Sequence, residues 1–290
     1  MVASGSLLLT LLLALPADAP VAMPAPEEPP AAVASVAPAR APPPATAPAR
    51  APRSVYEIRP WLDGPLVVTT GLAYGALALF GPSSVVPHCP CSASEVPRID
   101  QVALGKHNQA ADSLSTATTL LALAAPVVVD AVDVGFTGPL AEDMVVYAEV
   151  LTISGTATEL AKYVVQRPRP YVYGSTSPSV IDSSSSYVSF FSGHTTTTFA
   201  ALTSLSMTMS LRHGPQPWLW VLTALVGTSV AIERVAAGQH FPTDVMAGTV
   251  VGVGVGLLVP WLHERRAAAG PAVSIAPLPG GGALVVRGGW

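Results

Sequence analysis

Apolar stretches close to twenty residues long recur along this chain and limit its architecture more than any other feature. Six follow Trp61, at about 62–81, 113–134, 142–164, 194–212, 217–233 and 244–262. Wound as an α-helix, twenty residues cover about 30 Å, the hydrocarbon thickness of a bilayer. The stretches are not uniformly oily. Asp130 and Asp133 lie in the second, Glu149 and Glu159 in the third, and the fourth is rich in Thr and Ser. Such groups are expected to face the interior of a helix bundle rather than lipid. The sixth is the cleanest span. Its glycines at 248, 252, 254 and 256 permit close helix packing, and Arg265 and Arg266 follow it, as suits a cytoplasmic end.

Composition agrees. Half of the 290 residues are hydrophobic, 11% are charged, and mean hydropathy is +0.49. Soluble domains carry about 25% charge. A membrane protein or an unusually apolar helical bundle is therefore expected. The net charge of -4 is spread without a basic run, which argues against a nucleic-acid partner.

The ends read differently. Residues 1–19 resemble an export signal, with an apolar run from Leu7 to Leu15 before Ala17-Asp18-Ala19, too short to span a bilayer. Residues 20–53 hold eleven of the thirty prolines and are expected to act as a disordered tether. Residues 54–264 form the expected helical domain, and 265–290 a tail. In that tail Val273–Ala276 and Ala283–Val286 flank Pro279-Gly-Gly-Gly, the pattern of a short β-hairpin. The expected fold class is all-α: a six-helix, membrane-embedded bundle with a short C-terminal β-hairpin. His88-Cys89-Pro90-Cys91 leaves three readings open: a zinc ligand set, a local disulfide, or two inert thiols.

Three groups of residues at the ends of the apolar stretches carry chemistry. Lys162 closes the third stretch, and Arg169-Pro170 follows in Gln-Arg-Pro-Arg-Pro, where the prolines stop a helix and stiffen the backbone. A lysine point charge and an arginine fork together suit a phosphate. Ser192-Gly193-His194 opens the fourth stretch. There Ser192 is placed to cap a helix, Gly193 lets an anion approach the free amides, and His194 is placed to donate a proton. Arg234 and His240-Phe-Pro-Thr-Asp244 bridge the fifth and sixth stretches. Four residues apart on a helical turn, His240 and Asp244 share a face, so the carboxylate is placed to orient a nucleophilic imidazole. Taken singly, these groups also read as a basic helix anchor, a capping turn and a surface ion pair.

In this order they match Lys-x6-Arg-Pro, Pro-Ser-Gly-His and Ser-Arg-x5-His-x3-Asp. Over roughly residues 60–262 the chain resembles the type 2 phosphatidic acid phosphatase / vanadium haloperoxidase superfamily. Phe191 stands where that pattern has proline, and Glu233 where it has serine, which sets an anion beside the expected phosphate site. The resemblance implies that His240 attacks phosphorus, His194 protonates the leaving alcohol and Asp244 holds His240. It further implies that Lys162, Arg169, Ser192, Gly193 and Arg234 bind the phosphate, with no metal and no cofactor. The implied substrate is a lipid phosphate or another phosphomonoester, and the implied setting is a bacterial inner membrane with the site facing the periplasm. A soluble periplasmic acid phosphatase, a vanadium haloperoxidase and a non-catalytic membrane protein are the alternatives. A cleaved signal followed by six crossings puts the motifs in the cytoplasm. An outward site therefore requires that the signal stay, that one early stretch not cross, or that the bundle be soluble.

Overall fold

The computed structural model describes residues 53–89 and 91–265, and the backbones of two strands, 272–278 and 281–287. The export-signal reading of 1–19 and nearly all of the 20–53 tether lie outside the described residues.

Among the described residues, seven α-helices form the body: α1 (Pro60–Phe80), α2 (Gln109–Val134), α3 (Gly138–Val165), α4 (Pro178–Ile181), α5 (Gly193–His213), α6 (Pro217–Ala236) and α7 (Pro242–His263). Each of the six long helices overlaps one of the apolar stretches. The seventh, α4, is a single turn begun by Pro178 in a Ser-rich loop, too short for any hydrophobic period to announce it. The helix starts follow local chemistry. Asn108 caps α2 by accepting from the Ala111 amide at 3.1 Å, and Ser192 caps α5 through the Thr195 amide. Proline occupies the first turn of α1, α3, α6 and α7, where its missing N–H costs nothing.

Helix α5 is the axis of the bundle, packed by α2, α3, α6 and α7. It is also the hydroxyl-rich helix, with Thr195, Thr196, Thr198, Thr203, Ser204, Ser206 and Thr208 all buried. Thr195 and Thr196 bond back to Ser192, and three others reach across to neighbours: Thr208 to Tyr56 at 2.8 Å, Ser206 to Thr223 at 2.9 Å and Thr198 to Thr119 at 3.1 Å. Large apolar side chains face outward instead, among them Leu72, Leu121, Val132, Leu225 and Val250. Polar contacts inside and apolar groups outside suit a lipid surround.

Among the described residues, four helices, α1, α2, α6 and α7, are long and apolar enough to cross a membrane. Helices α3 and α5 fall short because they carry the acidic groups and the hydroxyls, so not all six stretches qualify as spans. The second stretch does qualify, in spite of its two aspartates. Asp130 and Asp143 are buried near Arg212, whose guanidinium bonds Asp143 at 2.6 Å and Asp133 at 2.9 Å and ties α2, α3 and α5 together at one end.

The glycines of α7 set its distance from α5. A methyl group at Gly252 would lie 2.4 Å from the Thr196 carbonyl oxygen, and one at Gly256 2.7 Å from that of Ala200. Gly254 faces open space. Beyond the helices, 272–278 and 281–287 pair antiparallel, with Ala272 opposite Arg287 and Leu278 opposite Gly281.

Candidate active site

The sequence motifs meet at the end of the bundle opposite Arg212. Lys162, Arg169, Gly193, His194, Arg234 and His240 line one cavity of about 300 Å³, together with Tyr74 of α1, Thr119 and Leu123 of α2, Gly155, Thr158 and Glu159 of α3, and Thr197 of α5. Ser192 and Asp244 stand behind this wall, both fully buried.

Lys162 lies in the last turn of α3, before Gln166 takes a left-handed conformation and ends the helix. Its ammonium bonds Glu159, one turn back, at 2.6 Å. A Cβ placed on Gly193 would lie 3.5 Å from the Lys162 Nζ, so this cation sits over the positive end of α5. Gly193 leaves that approach open.

Arg169 extends from the proline-stiffened loop. Its guanidinium donates to the Ser185 carbonyl at 2.9 Å and to the Gln239 side chain at 2.6 Å, and desolvation holds its pKa below the ordinary arginine value. Arg234, near the end of α6, bonds Asp112 and the Ser115 hydroxyl, and its Nε has no hydrogen-bond partner although buried.

His240 is buried in the turn between α6 and α7. Its Nδ1 is 2.7 Å from the Ser189 carbonyl oxygen. A carbonyl only accepts, so Nδ1 carries the proton and Nε2 keeps its lone pair. Asp244 is not the direct partner that the four-residue spacing suggested. Its Oδ2 lies 3.8 Å from Nδ1, beyond a hydrogen bond. The carboxylate instead accepts from the Ser189 hydroxyl, the Phe241 amide at 2.9 Å and Arg167. Asp244 thus stands near His240 without a direct hydrogen bond and is linked to it by way of Ser189. Burial first, then Arg169 and Arg234, lower the His240 pKa to about 3 against the opposing pull of Asp244. The ring is neutral at pH 7.

His194, in the first turn of α5, sets Nε2 3.2 Å from the Thr116 hydroxyl. Desolvation, then Arg234, with Lys162 and Arg169 adding to it, lower its pKa to about 4.

Glu233 is not among the residues lining this cavity. Its carboxylate accepts from Ser229, one turn earlier on α6, at 2.9 Å. The anion expected beside the phosphate site is thus directed elsewhere.

Several residues were not singled out by the motifs. Arg167 stacks 4.1 Å over the Phe241 ring and bridges Asp244 to Asp100, which lies 2.7 Å from its Nη2. Asp100 also accepts from the Thr243 amide at 3.0 Å, anchoring the start of α7. Arg167-Pro168 repeats Arg169-Pro170 and so carried a signal. Asp100, 67 residues from Arg167, carried none. Asp100 belongs to the loop that also holds Cys89 and Cys91, which form a disulfide. That pairing settles the three readings of these cysteines.

Residues 143–268 match the family model of the PAP2 superfamily. Three curated proteins are similar over shorter stretches. Lipid A 1-phosphatase of Porphyromonas gingivalis is 34% identical over 76 residues, 26% of this chain and 16% of its own length. Bacitracin transport permease protein BcrC of Bacillus licheniformis is 36% identical over 77 residues, 27% of this chain and 34% of its own. Undecaprenyl-diphosphatase of Sulfolobus acidocaldarius is 30% identical over 100 residues, 34% of this chain and 45% of its own. The chain thus spans less than half the length of each of these relatives. No solved structure matches it. Over residues 143–268, which contain all nine residues of the three motifs, the chain is similar to the PAP2 superfamily.

Proposed function

We propose that the protein is a metal-independent lipid phosphatase that works through a phosphohistidine. The carrying observation is the cavity itself. Three cations, two histidines and Glu159 line it together with Tyr74 of α1, Thr119 and Leu123 of α2, and Gly155 and Thr158 of α3. The cations suit a phosphate or diphosphate, and the neighbouring apolar helices α1 and α2 suit an apolar tail on it. The relatives named as a lipid A phosphatase and an undecaprenyl diphosphatase support this substrate class.

In the proposed reaction the His240 Nε2 lone pair attacks phosphorus. The bond to the leaving oxygen breaks as protonated His194 gives it a proton. Lys162, Arg169, Arg234 and the amides at Gly193 hold the three non-bridging oxygens as charge shifts. Water then attacks the phosphohistidine, His194 takes the water proton, and inorganic phosphate leaves with His240 restored. Asp244 stabilises the positive ring of the intermediate.

The proposed catalytic domain is 54–264, preceded by an export segment and a tether. The site faces the outer side of a bacterial inner membrane. The Cys89–Cys91 disulfide supports this orientation, because its loop holds the site end of the bundle and disulfides persist in oxidising compartments.

The test is hydrolysis by the purified chain of phosphatidic acid, phosphatidylglycerol phosphate, an isoprenyl diphosphate and p-nitrophenyl phosphate. Turnover of a lipid substrate is expected to persist in EDTA and to be inhibited by vanadate, whose trigonal bipyramid on His240 resembles the transition state. Hydrolysis that vanishes with EDTA, returns with magnesium and ignores vanadate would overturn the proposal. Halide oxidation in the presence of vanadate would instead assign the cage to peroxidase chemistry.

A further inference from the structure

We infer that the opposite end of the bundle holds a second site, a three-ligand site for a divalent transition metal of the zinc type, built from Asp63 of α1, Glu149 of α3 and His263 of α7. Asp244, at the active site, and His263 lie nineteen residues apart on α7, about 28 Å at 1.5 Å per residue, so the two sites are separate.

The geometry carries the inference. The His263 Nε2 lies 3.4 Å from Asp63 Oδ1 and 3.4 Å from Glu149 Oε2, and the three ligand atoms all fall within 4.8 Å of one another. Bonds of about 2.0–2.2 Å to a tetrahedral zinc place neighbouring ligands roughly 3.3–3.5 Å apart. Two of the three edges match. The other imidazole nitrogen, Nδ1, is 2.8 Å from the Val259 carbonyl oxygen and must donate to it. In the neutral ring that leaves a lone pair on Nε2 facing two carboxylates. Metal-bound histidines are held in this way, with the second nitrogen on a backbone carbonyl.

An imidazolium is the rival occupant, and it fits less well. Its single Nε2 proton points to one oxygen, whereas two oxygens stand at equal distance, both longer than the usual 2.7–2.9 Å of a charge-assisted bond. Glu149 supplies an independent observation. Its side chain is 1% exposed, and its second oxygen, Oε1, has no hydrogen-bond partner.

The ligands are also held in advance. The Arg59 amide donates to Asp63 Oδ2, and the Glu57 amide donates to the His263 carbonyl at 2.8 Å. A cavity of about 230 Å³, lined by all three ligands, opens beside them and leaves room for a water as fourth ligand. One nitrogen and two carboxylate oxygens favour zinc, and cobalt as its spectroscopic substitute, over magnesium.

The test titrates the full-length, detergent-solubilised, metal-stripped chain with Zn²⁺ and Co²⁺. Calorimetry is expected to show one ion per chain, Co²⁺ to give a visible tetrahedral d–d band, and Tm to rise with added Zn²⁺. Glu149→Gln and His263→Gln should each weaken binding about a hundredfold or more. The initial phosphatase rate should stay unchanged on chelation, because the ion lies far from the phosphate. A wild-type chain that binds no Co²⁺ and gains no Tm from Zn²⁺ would overturn the site, whether or not the variants fold. Folded variants that bind as tightly as wild type would overturn it too.

Discussion

Replacing Asp244 by asparagine measures how a carboxylate assists His240 without touching it. At 3.8 Å, a full negative charge stabilises a full positive charge on the ring by about 4 kcal/mol at an effective dielectric of about 20. Arg167, bonded to the same carboxylate, opposes this, and leaves roughly half. About 2 kcal/mol corresponds to roughly a thirtyfold loss of kcat. The ring itself stays in place, because Nδ1 donates to the Ser189 carbonyl, a group that the substitution leaves in the chain. The loss should therefore fall well short of the ~10⁴-fold seen when a directly bonded orienting aspartate is removed from a triad. The assay is the rate of phosphoenzyme formation from a labelled lipid phosphate in a rapid-quench experiment, with Tm recorded on the same sample. A fully folded Asp244→Asn that is as inactive as His240→Ala would refute the charge-at-a-distance account. So would a variant that loses no activity.

His194→Ala should cost much less on p-nitrophenyl phosphate than on an alkyl phosphate, since a good leaving group needs little protonation; equal losses in a kcat/KM comparison would contradict its acid role. Gly252→Ala should destabilise by about 1–3 kcal/mol, because its methyl meets the Thr196 carbonyl oxygen, whereas Gly254→Ala, facing open space, should be neutral in a thermal melt. His240 is neutral in the fold with a pKa near 3, but protonates in the unfolded chain below about 6.5, so its burial costs stability as pH falls through that window. At pH 5 the cost is about 2 kcal/mol, and denaturation of His240→Gln at pH 7 and pH 5 should show a correspondingly smaller loss than wild type.

Much of the site was legible because it is written locally. The helix lengths follow from runs of apolar residues, and the helix starts from Asn108, Ser192 and the first-turn prolines. The motif residues stand at helix ends, where unsatisfied amides favour anion binding. The partners were not legible, since they come from distant chain. The Nδ1 proton of His240 goes to the carbonyl of Ser189, and a backbone carbonyl leaves no mark in a sequence. Arg167 is visible as a residue, but only the fold brings Asp100 to it. The same holds for Glu233, whose place beside Arg234 in the chain suggested a role that the rotation of α6 denies it.

The amino-acid order by itself determined a mostly helical chain with lipid-scale segments and motif residues at the helix ends, because period, length and caps act over a few residues. Only the tertiary structure decided that the most hydroxylated helix, α5, lies at the centre of the bundle. That follows from packing: α7's glycines admit a close neighbour, and α5's hydroxyls bond inward to α2, α6 and Tyr56, while the oilier helices are left to face outward.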